Sequence, residues 1–205
     1  MSKRAGKRLI ERDMVLSANA ERENTSISHY VFVNEIAVNI AVWGNAKWIM
    51  TDHLVREVNR LAGKDGFAKD YDSVIQINVA GNISQIAVEY EHTRKASSEY
   101  KELLDSLKRE EHISILLFVC ANEAMRKILI ELYNGLRNFA CYVLVQEFGR
   151  SIENVKAQYW TMKRGEVGVW EINEAPLIRI IEATSKRPVA GYERRSASSL
   201  FTPLK

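Results

Sequence analysis

Hydrophobic and polar positions follow two periods along this chain, and the periods change places several times. In "ISHYVFVNEIAVNIAVW" (27–43), Val33, Ile36, Ala37, Ile40 and Ala41 recur at helical spacing, with Ser26 or Ser28 placed to cap the predicted helix. "KWIMT" (47–51) reads as a short strand. Thr51 then precedes a second helical stripe of Leu54, Val55, Val58 and Leu61, which "GKDG" (63–66) ends. Next, "DSVIQINV" (72–79) and "ISQIAVEYE" (83–91) alternate in twos around Ala80, Gly81 and Asn82, which predicts a β-hairpin. Residues 93–110 return to the helical period with Tyr100, Leu103, Leu104 and Leu107.

"ISILLFVC" (113–120) and "FACYVLV" (139–145) are apolar throughout, as strands covered on both faces are. Between them Asn122 caps a helix predicted from Met125, Ile128, Leu129, Leu132, Tyr133 and Leu136. "AQYWTMKRGEVGVWEI" (157–172) predicts an edge hairpin turning at 163–166. Over 27–146 the order is α, β, α, β, β, α, β, α, β. That predicts an α/β fold, a mixed central sheet flanked by helices.

Composition narrows the class. Of 205 residues, 46% are hydrophobic, which supports a packed core and excludes a disordered chain. No apolar run approaches the ~18 residues of a membrane span, so no membrane role is expected. The opening "MSKRAGKRLIERD" lacks the apolar stretch of a signal peptide. Cys120 and Cys141 both sit in apolar runs and read as buried free thiols, not as a disulfide or a zinc site. The expected compartment is the cytoplasm.

The net charge of +3 is unevenly spread. Residues 1–12 carry +4 and residues 186–205 carry +4, which leaves −5 between them. The expected organisation is a basic arm over 1–26, a single α/β domain over 27–184 that includes the C-terminal hairpin, and a basic flexible tail over 185–205. Basic ends of this kind suit phosphate partners or simply solubilise the chain.

The candidate chemistry lies where the hairpin opens. Side chains alternate across a strand, so Glu89 and Glu91 share a face with Gln85 and Ala87, and Asp72 shares one with Val74 and Gln76. Pairing around the turn sets 79 near 83 and 72 near 90, within a residue or two. Asp72 then meets Glu89 and Glu91 at one end of the sheet. Three close carboxylates repel unless a cation lies among them, and oxygen-only ligands suit Mg²⁺ or Mn²⁺. A metal there can activate a water or a tyrosine and stabilise charge on a phosphodiester. Lys95, four residues after Glu91, can touch a phosphate or hold Glu91, with Lys101 as a fallback.

The same spacing also fits a solvated strand end in which Glu91 pairs locally with Lys95. Tyr100 is the nearest hydroxyl, yet its spacing to Leu103, Leu104 and Leu107 is that of core packing. His29 in the first turn of the first helix can reach a phosphate or serve as a structural histidine. His92 adjoins the acidic cluster but alternates onto the other face. Trp160 and Trp170 can stack bases or pack the edge hairpin. Walker, dinucleotide-binding, nucleophile-elbow and H-E-x-x-H motifs do not occur.

The succession of "ISHYVFVNEIAVNIAV", "KDYDSVIQINVAGNISQIAVEYEHTRKASSEYKELLDSL" and "ISILLFVCANEAM" resembles the replication–relaxation family, which includes the plasmid relaxases of the MobC type. The resemblance covers roughly residues 27–145. It rests on Ser28-His29 opening a helix, Asp72 before a hairpin, and Glu89, Glu91, Thr93, Lys95 and Tyr100 in order after it. It implies a restriction-endonuclease-like PD-(D/E)xK core and a metal-dependent endonuclease that nicks DNA at a plasmid transfer origin or replication site. In that scheme Asp72, Glu89 and Glu91 hold Mg²⁺ or Mn²⁺, Lys95 stabilises the phosphate, and Tyr100 is a nucleophile or active-site hydroxyl.

Two features depart from the family pattern. Tyr71 stands where a proline often precedes the aspartate, with Asp70 as a substitute ligand. The 26 residues ahead of the first helix are too few for the winged helix of many relatives, so DNA affinity is expected from the basic arms or an accessory protein. A non-catalytic DNA-binding regulator on the same fold is the alternative, because fold alone does not settle function.

Overall fold

The structure, a computed structural model, describes residues 26–79, 81–136, 140–149 and 151–185. Backbone proximity divides the chain into two units, Met1–Phe32 and Val33–Lys205. The described part of the first unit is the opening of helix α1 (Ser26–Trp43), where the His29 and Tyr30 rings meet edge-on with centroids 5.7 Å apart. The basic arm and the tail from 186 onward lie outside the described residues, and the proposed caps Ser26 and Ser28 lie outside the described side chains.

The second unit is built on one sheet of seven strands: β1 (Trp48–Thr51), β2 (Ser73–Val79), β3 (Asn82–Glu91), β4 (Ile115–Cys120), β5 (Ala140–Leu144), β6 (Lys156–Met162) and β7 (Trp170–Pro176). They lie side by side in chain order. β1, β2 and β3 are antiparallel neighbours, β3, β4 and β5 are parallel, and β6 and β7 close the sheet antiparallel. Helices α2 (Asp52–Ala62), α3 (Ser97–Leu107), α4 (Glu123–Leu132) and α5 (Leu177–Ser185) complete the architecture. The chain is therefore α/β with a mixed sheet flanked by helices, and the elements over 27–146 come in the expected order.

Local chemistry explains where the boundaries moved. The side chain of Asn122 caps α4 as expected, accepting the Met125 N–H at 3.0 Å. Thr51 occupies the N-cap position of α2 but makes no side-chain cap bond. Asp52 serves the exposed donors there, accepting from His53 N at 2.7 Å and pairing with Arg56 at 2.6 Å. The helix expected over 93–110 is the shorter α3, because its N-cap residue Ala96 is extended (φ −66°, ψ 150°) and leaves 92–96 as a loop. α5 was not anticipated. Leu177, Ile180 and Ile181 bury its inner stripe, and Thr184 and Ser185, expected near the start of a flexible tail, bond back to Ile180 O and Ile181 O.

The β2–β3 hairpin is one residue tighter than expected. Val79 pairs with Asn82, so the loop is 80–81, and Gly81 supplies the positive φ of 83° that the turn requires. Ser73 pairs with Val88, which brings Asp72 alongside Glu89. The β6–β7 loop is longer than expected. It spans 163–169, closed by Lys163 N donating to Val169 O at 2.8 Å.

The sheet buries both faces. On the first, Ile75, Ile77, Ile86, Val88, Leu117 and Val119 pack with Ile36, Ala37 and Ile40 of α1 and Leu177, Ile180 and Ile181 of α5. Gly44 permits a close approach here, since a β-carbon on it would lie 2.7 Å from Ile77 Cγ2. On the second face, Val74, Ala87, Leu116, Phe118 and Tyr142 pack with Val55 of α2, Tyr100 and Leu107 of α3, and Met125 and Leu129 of α4. Cys120 and Cys141 are buried free thiols on opposite faces. No described helix is long and apolar enough to cross a membrane.

Candidate functional site

The carboxylates gather at the carboxyl ends of the parallel strands, where open α/β sheets place their ligands. β3 runs into this end, and its last residues, Glu89 and Glu91, point to the second face beyond Ala87. Both are buried, at 4% and 3% exposure. They are not a solvated strand end.

Asp72 sits just before β2 and bonds across to β3. Its Oδ2 accepts the Tyr90 N–H at 2.8 Å, and its own N–H donates to Glu89 Oε1 at 3.3 Å. The Nζ of Lys69 donates to Glu89 Oε2. The Nζ of Lys95, in the loop after β3, donates to Glu91 Oε1. The Tyr100 hydroxyl accepts the backbone N–H of Lys95 at 3.1 Å, so α3 fixes the loop that carries the lysine. Tyr100 is also 3% exposed and belongs to the core, as its spacing indicated.

Two side chains hold the segment that presents Lys69. Asn59 of α2 donates through Nδ2 to Lys69 O (3.0 Å) and Asp70 Oδ1 (2.8 Å), and its Oδ1 accepts Phe67 N (2.8 Å). Glu110 accepts from Ala68 N (2.9 Å), the Tyr71 hydroxyl (2.6 Å) and His112 N (2.7 Å). Tyr71 belongs to this clamp: its ring is buried and its hydroxyl anchors the segment. Asp70 is exposed and bonded to Asn59. Lys101 is exposed on α3, and His92 stacks on Tyr90 at 5.7 Å.

Burial pushes Glu89 up from 4.5 to about 7, with the charges of Asp72 and Glu91 adding to the rise and Lys69 opposing it. Burial works against the charge of Lys95. Glu91, by charge and hydrogen bond, and then Glu89 outweigh that effect and hold Lys95 above its ordinary range. A carboxyl lifted toward neutrality beside anchored lysines is the kind of perturbation that functional sites show.

The donor set suits a hard dication by its chemistry, being all carboxylate oxygen. Among the described residues, however, no three His, Cys, Asp or Glu side chains are gathered to hold a metal. Glu89 and Glu91 are each neutralised by an ammonium group instead, so a dication would take them only by displacing Lys69 and Lys95.

Of the residues singled out in the sequence, the structure brings Asp72, Glu89, Glu91, Lys95 and Tyr100 to one end of one face. It adds Lys69, Asn59, Tyr71 and Glu110, which lie in loops or at element ends and carry no periodic signal. Comparison with protein-family models, with curated proteins and with solved structures finds no match.

Proposed function

We propose that this chain is a DNA strand-nicking domain with a restriction-endonuclease-like PD-(D/E)xK site, acting in the cytoplasm on a plasmid origin or replication site. One observation supports the reading: Asp72, just before β2, hydrogen-bonds across to the backbone and Glu89 side chain of β3, and Glu91 follows two residues on, at the end of β3 that leads through α3 to parallel β4. Asp72, Glu89 and Glu91 would hold Mg²⁺ or Mn²⁺, which supplies activation of the attacking water and charge stabilisation on the phosphodiester.

The protein's own groups do the rest. Lys69 and Lys95, which pair with Glu89 and Glu91, would neutralise phosphate oxygens once released from them. Tyr100 fixes the Lys95 loop through its hydroxyl. Its burial supports a positioning role for Tyr100, with water as the attacking group.

A second reading, a DNA-binding regulator without catalysis, is favoured by the two lysine–glutamate pairs, which neutralise the carboxylates without any metal. A supercoiled-plasmid assay separates the two. Nicking is expected to yield open circles only with Mg²⁺ or Mn²⁺, and to fall at least 100-fold in Glu89→Ala. Salt-dependent binding with no cleavage under either metal assigns the regulator.

A further inference from the structure

A groove of about 410 Å³ runs between the edge hairpin and α5. Pockets of ~300–1,000 Å³ are the usual size for a bound group. Cys141 of β5 lies at its base, Tyr159, Met162 and Trp170 of the hairpin line one side, and Ile180 and Ala183 of α5 line the other. Met162 is 53% exposed, and the Tyr159 and Trp170 rings are half-buried.

The polar side chains of the lining are already bonded within the chain. Thr161 accepts from Asn173 Nδ2 at 2.6 Å, Arg179 pairs with Glu182 at 3.2 Å, and Thr184 donates to Ile180 O at 2.8 Å. What the groove leaves open is aromatic and aliphatic surface, the kind that marks an interaction site. An apolar occupant suits it better than a sugar or a phosphate, which would have to break these bonds to be held.

The chain carries such an occupant. α5 stops at Ser185, and Ala183 and Thr184 in its last turn line the groove. Residues 186–205, outside the described part, continue from that turn with a basic run followed by Leu200, Phe201 and Leu204. They carry +4 where residues 13–185 carry −5, so charge draws this segment toward the body of the chain. The stretch from 185 to 200 extends to roughly 50 Å at most and covers roughly 20 Å as a random coil. Leu200 and Phe201 can therefore return to a groove whose wall their own chain has just formed, at the high effective concentration that tethering gives.

We propose that the groove docks the carboxy-terminal segment of the same chain, with Leu200 and Phe201 seated between the edge hairpin and α5. This docking is independent of the chemistry at the carboxylate end of the sheet.

The test is paramagnetic relaxation in the full chain. A nitroxide on Ala197→Cys marks the segment, and the native thiols, 0% and 1% exposed, do not compete for the label. The backbone signals of Tyr159, Met162 and Trp170 are expected to lose intensity, while those of Trp48 and Ile49 in β1, five strands away from β6, keep theirs. Leu200→Asp combined with Phe201→Asp is expected to reduce the loss several-fold, and neither position belongs to the described core.

Unchanged signals at the groove overturn the proposal, as does a loss that the double substitution leaves intact. A loss that appears when spin-labelled chains are mixed with isotope-labelled chains lacking the nitroxide also overturns it, by placing the segment of a second copy in the groove.

Discussion

Against α1 and α5 the sheet presents mostly isoleucine, valine and leucine, with the Cys141 thiol buried among them. Against α2, α3 and α4 it presents a ring stack, two buried glutamates, the lysines that neutralise them and two tyrosine hydroxyls without partners. One sheet thus separates the two demands on the chain. The first face supplies transfer free energy with its buried Ser84 hydroxyl bonded to Ser185 of α5, and the second carries charged groups whose burial opposes folding. The two buried glutamates and the lysines that pair with them lie at one end of the second face, where the hairpin and the parallel strands meet.

The contrast breaks most strongly by truncation of the first face. Ile86→Ala, at a fully buried position, is expected to cost about 2–5 kcal/mol, equally at pH 5 and pH 8, as read from denaturant midpoints.

Lys69→Met breaks the second face instead, and its cost depends on pH. In the wild type Glu89 is raised from 4.5 to about 7, so between these values the folded chain holds a proton that the unfolded chain has released. The stability Glu89 contributes is therefore present below about pH 4.5 and is lost as pH rises through 7. Without Lys69 the buried carboxylate has lost its nearest cation. The expected cost is about 2–3 kcal/mol at pH 8, moderated by the partial exposure of the lysine, and close to zero at pH 5. A Lys69→Met cost that does not vary between these pH values would contradict the assignment of the pair.

The smallest effect is expected at the clamp. Tyr71→Phe removes one of the three hydrogen bonds to Glu110 and should cost about 1–2 kcal/mol by thermal denaturation, because Ala68 N and His112 N still serve the carboxylate.

Much of this architecture was legible in the hydrophobic periods. Ile75, Ile77, Ile86 and Val88 line one face and Val74 and Ala87 the other, as strict alternation dictates. The hairpin register was one residue off, because a loop of two residues and one of three look alike in "VAGNI" and only the backbone conformation at Gly81 distinguishes them. α5 had a signal that went unread: Leu177, Ile180 and Ile181 at helical spacing directly after Pro176.

The site was half legible. Glu89, Glu91 and Lys95 are close in sequence, and their strand-and-loop setting brings them together. Lys69 reaches Glu89 only because Asn59 and Glu110, on other elements, fix the segment between them, and no local pattern encodes that. Nor does E-x-E reveal burial: at that strand end the helices decide whether two carboxylates meet water or lysine.

Strand order that matches chain order has a consequence for assembly. Each new strand docks on the edge left by the one before it, so no pairing has to wait for a distant segment of the polypeptide. The connections that close these pairings run from 2 to 23 residues, and the cost of loop closure grows only slowly with length. A chain growing from its amino end can add β1 through β7 in turn, with β1 the fixed edge and the newest strand the advancing one.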